Sequence, residues 1–343
     1  MERQVPGYLT LGRLFFLLAV CWMPAVGHAS ERVSGVVQEG GAIEFQIHEP
    51  EAGKYTLTIE DVKDGKSVAT VTSFEKSPYI PVRVARLAGG LKQGVYRFKL
   101  QRDGTIVYEG GSPDPAWKGD FETTAGTFER RDSQVLWSAS RPALSRVLIM
   151  SKSGAILHIL KDWHFAGAGR QLLAWDYQDG EKAWNFSTYP ALQVLVQSLA
   201  LPDGWLVVGQ PEWQLYKSQS LFAPIASRMP DSALDFELKL DAASRQLKVN
   251  EEPRSVFFLK EGTLLKTALG ESARNALEGQ RYEILLYLDG EFFHEESQGI
   301  DPYTYKFPAF PQSLSPSFLT VNILDYRGNV ATRTLAVRTG EAP

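Results

Sequence analysis

Gly94-Val95-Tyr96-Arg97-Phe98-Lys99-Leu100-Gln101-Arg102-Asp103-Gly104 carries the pattern that recurs along the chain. Tyr96, Phe98 and Leu100 alternate with Arg97, Lys99 and Gln101, and an Asp-Gly pair ends the run. A period of two puts apolar side chains on one face of a strand and polar ones on the other, the pattern of a half-buried antiparallel strand. Asp-Gly suits the tight turn that sends the chain back beside itself. The same grammar holds upstream. Ile43, Phe45 and Ile47 alternate with Glu44, Gln46 and His48, and Tyr55, Leu57 and Ile59 alternate with Thr56, Thr58 and Glu60. Turn signals stand at Asp64-Gly65 and Gly89-Gly90.

The pattern restarts twice. Val147 to Met150 runs through Ser153-Gly154 into Ala155 to Leu160, a hairpin with a glycine turn. Leu172 to Trp175 reads as another strand, as does the alternation of Leu192, Val194 and Val196, and Asp203-Gly204 turns the chain into Trp205 to Val208. Near the C-terminus, Ile284 to Leu288 meets Asp289-Gly290, and Leu319 to Ile323 leads through Asp325 to Asn329 into Val330 to Val337. Only Leu264 to Leu277 hints at a helix, and Gly270 interrupts it. Short strands separated by turn signals predict an all-β chain of tandem antiparallel sandwiches. The seams are compositional: Gly110 to Pro115 is stiff and polar, and Pro211 to Pro230 is irregular. These cuts give three modules, 30–112, 120–212 and 230–343, behind an N-terminal leader at 1–29.

The leader carries Arg3 and Arg13, an apolar run from Leu14 to Val20, a break at Pro24, and small residues at Gly27 and Ala29. A charged start, a short apolar core and small residues before a cleavage point describe a secretory signal peptide. The run falls short of the roughly 20 residues needed to span a bilayer. Leu18-Ala19-Val20-Cys21 is the competing reading, a lipoprotein box that would anchor the chain through Cys21. Val20 stands where that pattern wants Gly or Ala, and the residues after Cys21 stay apolar. Cleavage after Ala29 removes the chain's single cysteine and takes the net charge from −4 to −5. The expected home is therefore the bacterial periplasm, the exterior or the cell surface, with no membrane span after cleavage. Stability has to come from cores, since no disulfide can form.

Composition excludes several functions. Hydrophobic residues at 44% and charged residues at 22% of 343 match an ordinary folded chain, and a net charge of −4 argues against nucleic acid. One cysteine and five histidines exclude disulfide scaffolds and cysteine–zinc sites. No nucleophile elbow and no phosphate loop is present, so neither an enzyme nor a cofactor is expected.

Two sets of residues remain as candidates. Trp163 with Phe165, and Trp184 with Phe186, fall in expected connections of the middle module, where exposed rings could stack on a sugar or anchor a protein. Every tryptophan beyond the leader lies between Trp117 and Trp213, so this asymmetry singles out the middle of the chain. The competing assignment is that the rings fill a core or a seam between modules. Asp176, Asp179 and Glu181 cluster around a turn and are the candidate cation ligands, set against ordinary turn capping by Asp.

Arg146 to Ile156 resembles the hairpin that opens the Ig-like domain of the flagellar hook-capping protein family, and Gly167 to Asp176 resembles that family's glycine-rich segment and Trp-Asp strand. Gly53 to Ile59 and Leu91 to Phe98 are similar in outline to its first hairpin and closing strand. Tyr177 replaces the glycine that follows Trp-Asp in the family, and the first module lacks the Trp-Asp pair. The third module looks instead like bacterial Ig-like repeats through Leu288-Asp289-Gly290 and Asp325 to Asn329. The resemblance implies Ig-like sandwiches and no activity. The expected role is that of an exported structural or adaptor protein with an envelope or surface protein as partner. Binding of a polysaccharide by the middle module is the alternative.

Overall fold

Ile43, Phe45 and Ile47 meet Tyr55, Leu57, Ile59, Tyr96, Phe98 and Leu100 in one core, as the alternation requires. The computed structural model describes residues 33–37, 42–47, 49, 51–77, 83–87, 90–110, 121–129, 133–178, 185–187, 189, 191–227, 229, 234–249 and 252–340. The leader, Cys21 included, lies outside them. The first sandwich uses β1 (Val33–Val37), β2 (Ile43–Ile47), β3 (Gly53–Asp61), β4 (Ser67–Lys76), β5 (Arg83–Leu87), β6 (Gly94–Arg102) and β7 (Thr105–Glu109). One sheet is β1-β2-β5; the other is β4-β3-β6, with β7 on the far side of β6. Phe45 and Phe98 close the gap between the sheets edge to face, 5.3 Å apart. Outside the core, Arg97 bridges Glu60 (2.9 Å) and Glu109 (3.1 Å), tying β3, β6 and β7 together.

The second sandwich uses β8 (Phe121–Glu129), β9 (Gln134–Ala139), β10 (Ala143–Met150), β11 (Ile156–Ala166), β12 (Gly169–Ala174) and β13 (Gln193–Ala200). β8 belongs to both of its sheets: Phe121 to Gly126 pairs β13, and Thr127 to Glu129 pairs β9. Gly126 sits where the strand changes partner. A Cβ there would fall 2.6 Å from a Val194 methyl and 3.1 Å from the Leu136 carbonyl, so only glycine fits without a shift. β10 is buried along both faces up to Ile149. Val147 and Ile149 face the sandwich interior, while Leu144 and Leu148 face other parts of the chain.

β14 (Trp205–Val208) follows, and it leaves the second sandwich. The module boundary at 212 assigned it there. Its hydrogen bonds instead continue the first sandwich's sheet, with Trp205 opposite Arg97 and Val208 opposite Gly94. β7 covers the other half of the same β6 edge, from Lys99 to Arg102. Phe98 joins the two halves, donating to the Gly204 carbonyl (3.0 Å) and accepting from the Gly110 amide (2.6 Å). All four residues of β14 are buried, so no alternation marked which sheet they enter. Leu206 and Val208 complete the first core. Trp205 and Val207 point the other way, into a second core shared between the first two sandwiches.

That shared core is completed by residues 213–229, inside the irregular Pro211 to Pro230 stretch expected to be a seam. The segment is irregular, with 3-10 turns at Trp213–Leu215 and Ser220–Phe222 and a helical turn at Ala223–Ala226 begun by Pro224. It is nonetheless a wedge and not a free linker. Trp213, Tyr216, Phe222 and Ile225 pack against Leu144, Phe165 and Leu199 of the second sandwich and against Val62 and Val95 of the first.

The third sandwich uses β15 (Phe236–Asp241), β16 (Ser244–Val249), β17 (Glu252–Leu259), β18 (Leu264–Leu269), β19 (Tyr282–Leu288), β20 (Glu291–Glu296), β21 (Tyr303–Lys306), β22 (Ser317–Asp325) and β23 (Val330–Thr339). Its sheets are β15-β18-β21 and β16-β17-β23-β22-β19-β20. β17 and β23 pair in parallel. The stretch that hinted at a helix divides at Gly270: Leu264 to Leu269 is strand, Gly270 is extended at ψ 160°, and Glu271–Leu277 is helix.

The third sandwich docks on the second through apolar and polar contacts. Tyr287, Val256 and Ala336 share a core with Trp175, Phe186 and Leu157. Beside it, at a smaller core of Leu148, Ile156 and Val330, the buried Asn322 amide treats Ile156 as a strand neighbour, accepting from its N–H (2.8 Å) and donating to its carbonyl (2.7 Å). Ser151 donates to the Gly290 carbonyl (2.9 Å). The Asp289-Gly290 turn therefore lies in this boundary, and a Cβ on Gly290 would collide with the Tyr189 hydroxyl and sit 2.7 Å from the Ser151 Cβ. The described residues form an all-β tandem of Ig-like, mainly antiparallel sandwiches. Among the described residues no helix is long and apolar enough to cross a membrane.

Candidate functional site

Trp163 and Phe165 were expected in a connection, but β11 runs on to Ala166 and holds both. Two residues apart, they point to the same side of the sheet. Phe165 is wholly buried beneath the wedge, with Tyr216 at 5.1 Å and Trp213 and Phe222 at 5.8 Å. Phe186 is also buried, in the other core, near Tyr189 (6.1 Å) and Trp175 (6.3 Å). These two rings belong to different cores and neither presents a face to solvent. Trp184 lies outside the described residues.

Trp163 is half-buried and has surface neighbours. Phe121, 51% exposed, meets it edge-on at 6.2 Å. On its other side the Arg146 guanidinium sits 5.0 Å from the ring centroid. That guanidinium is buried and held by the Gln197 side-chain oxygen (2.6 Å) and by the Gly328 carbonyl (2.6 Å) on the β22–β23 loop. Burial lowers the Arg146 pKa, while Asp162 and Asp325 oppose the shift. Arginine keeps its charge through such a change. The same loop presents Tyr326, 68% exposed, with Arg327 over its ring at 5.6 Å. Phe121 and Trp163 on the second sandwich and Tyr326 with Arg327 on the third are thus separate ring pairs, and the buried Arg146 joins the first of them to the β22–β23 loop. Rings of this kind can stack on an apolar face of a ligand, with the cation fixed behind them.

The candidate cation ligands separate. Asp176 is exposed and accepts from the Gln178 amide (3.1 Å), the Asx-turn geometry of a capping Asp. Asp179 and Glu181 lie outside the described residues. Among the described residues no group of three or more His, Cys, Asp or Glu could hold a metal ion.

A polar row inside the second sandwich has no trace in the linear sequence. Ser145 on β10 stands opposite Ser198 on β13 and opposite His164 on β11. The two serine hydroxyls bond each other at 2.9 Å. His164 is 1% exposed and lies edge-on to Trp137 at 6.1 Å. The Trp137 indole N–H meets no hydrogen-bond partner, and neither His164 ring nitrogen reaches one in full hydrogen-bond geometry, the Asp162 and Ser145 backbone carbonyls being the acceptors beside the ring. Burial pushes the His164 pKa down from 6.5 to about 4; the nearby carbonyls of Asp162 and Ser145 pull it up, and Lys161 adds to the depression. The imidazole is neutral at pH 7. Without a hydrogen bond to either serine it does not activate a nucleophile. The three residues come from three strands, so only the register brings them together.

No protein-family model matches the chain, and no curated protein matches it. Among solved structures, trypsin-activated alpha-2-macroglobulin from Escherichia coli aligns over 88% of this chain and 22% of its own, at 8% identity and a TM-score of 0.25. The chain therefore spans about a fifth of that protein's length. The chicken CNTN1 FN1-FN3 domains align over 90% of this chain and 98% of theirs, at 11% identity and a TM-score of 0.20. Fibronectin(III)-like modules of Clostridium thermocellum CbhA align over 90% and 92%, at 10% identity and a TM-score of 0.20. None of these three structures is a hook-capping protein.

Proposed function

We propose that the chain is an exported, non-catalytic structural or adaptor protein that presents its sandwiches in fixed relation to a protein partner of the cell envelope or surface. What carries this reading is the use made of buried polar groups at the sandwich boundaries. Asn322, Ser151 and Arg146 hold one sandwich to the next, through bonds to Ile156, Gly290 and Gly328. Groups arranged this way hold a shape, and a fixed shape suits a protein whose work is to position others. In-cell cross-linking followed by recovery of the tagged chain from an envelope fraction tests the reading. A discrete cross-linked species of constant stoichiometry is expected; recovery of free monomer alone contradicts it.

Carbohydrate binding is the second reading, and Trp163 with Phe121 is the observation that favours it. Of the aromatics flagged from sequence and described, Trp163 is the ring left in contact with an exposed neighbour. Titration with a panel of polysaccharides should quench tryptophan fluorescence, and Trp163→Ala should weaken binding by about tenfold or more. An unchanged spectrum across the panel removes this reading and leaves the first intact.

A further inference from the structure

We propose that His164 is an acid-sensitive latch that holds the wedge at residues 209–216 on the second sandwich, and that its protonation loosens the junction with the first. The His164 backbone forms an isolated antiparallel bridge with Glu212, and the next amide, Phe165 N–H, donates to the Pro211 carbonyl at 3.3 Å. The strand that seals the imidazole inside the sandwich is thus the strand that carries the wedge outside it. Phe165 then packs on Trp213, Tyr216 and Phe222 of the same wedge.

The surroundings make the ring intolerant of charge. From β9 it meets the Trp137 indole, and from β10 the Ser145 backbone carbonyl, which favours the proton but does not outweigh burial. On its own strand, Lys161 opposes protonation and Asp162 contributes a backbone carbonyl. From the wedge comes Glu212, whose side chain is exposed. No carboxylate among the described residues acts on the imidazole, so an imidazolium there would be buried without a counter-ion. The closed state keeps its histidine neutral down to a pKa of about 4, whereas an exposed histidine takes its proton near 6.5. Between those values the open state binds more protons than the closed one. The latch is therefore fully engaged above pH 6.5 and weakens as pH falls, by about 80-fold in the closing equilibrium at pH 4.5, with a limit of about 300-fold reached only well below pH 4.

Hydrogen exchange of the full chain, corrected for intrinsic rates, tests this between pH 7 and pH 4.5. Peptides covering 209–216 should lose protection by at least about tenfold, while those covering 319–324 hold theirs; His164→Leu should abolish the pH dependence at 209–216. Unchanged protection at 209–216, or the same acid response in His164→Leu, overturns the proposal. Should His164→Leu fail to fold, NMR titration of the wild-type ring decides: a pKa below 5 with acid opening supports the latch, and a pKa of 6 or above refutes it.

Discussion

Cut at residue 112, the first sandwich should lose cooperative unfolding, and a peptide carrying residues 202–210 should restore it. The fragment lacks β14, whose Leu206 and Val208 side chains are part of its core. Full burial of each side chain contributes about 1.5–3 kcal/mol. Their joint loss, about 3–6 kcal/mol, reaches the lower end of the roughly 5–15 kcal/mol by which a whole domain is stable. The cut also bares the Gly94 to Arg97 edge of β6, which β7 does not reach. Urea unfolding followed by far-UV circular dichroism measures the effect, since residues 30–112 contain no tryptophan. In the intact chain, Leu206→Ala should cost about 2–5 kcal/mol. A fragment as stable as the same region in the full chain would show that β14 is an accessory.

Replacing Asn322 should uncouple the third sandwich from the second. Its amide gives Ile156 a donor and an acceptor inside an apolar boundary, and a further bond runs to Thr332 Oγ1 (2.9 Å). Asn322→Leu orphans the buried Ile156 N–H, while the Ile156 carbonyl keeps the Thr332 hydroxyl at 2.7 Å. A buried donor left unpaired costs about 1–3 kcal/mol. Gly290→Ala attacks the same boundary from the turn: at φ 79° a side chain is strained, and its Cβ would meet Tyr189 and Ser151. Calorimetry should show a transition for the third sandwich splitting from that of the second in either variant, and most in the double one. A single shifted peak in both would mean the apolar contacts alone couple the pair.

The sequence made the strands legible because most of them are wet on one face. Tyr55, Leu57 and Ile59 are wholly buried, as the alternation with Thr56, Thr58 and Glu60 requires. Turn positions were legible for a related reason: Asp103-Gly104 and Asp289-Gly290 each place two successive residues at positive φ, which few other pairs tolerate. What stayed hidden was buried on both sides. Trp205 to Val208 is apolar throughout, so its pattern named no sheet, and its place beside β6 comes only from the register. The wedge was hidden by irregularity: Trp213, Tyr216 and Phe222 follow no period, yet they converge on Phe165. Of the flagged rings, Phe165 and Phe186 became core for the same reason, since large aromatics fill the junctions that strand periodicity does not describe. The Ser198–Ser145–His164 row depends on register between three strands, which a linear reading does not contain.

These sandwiches share cores and should therefore unfold together. Hydrogen exchange across a urea series, read at peptides covering 94–102, 205–208 and 319–324, tests it most directly. The shared cores predict one midpoint for all three peptides, coincident with the midpoint of tryptophan fluorescence. Three separate midpoints, with 94–102 indifferent to the loss of 205–208, would contradict it.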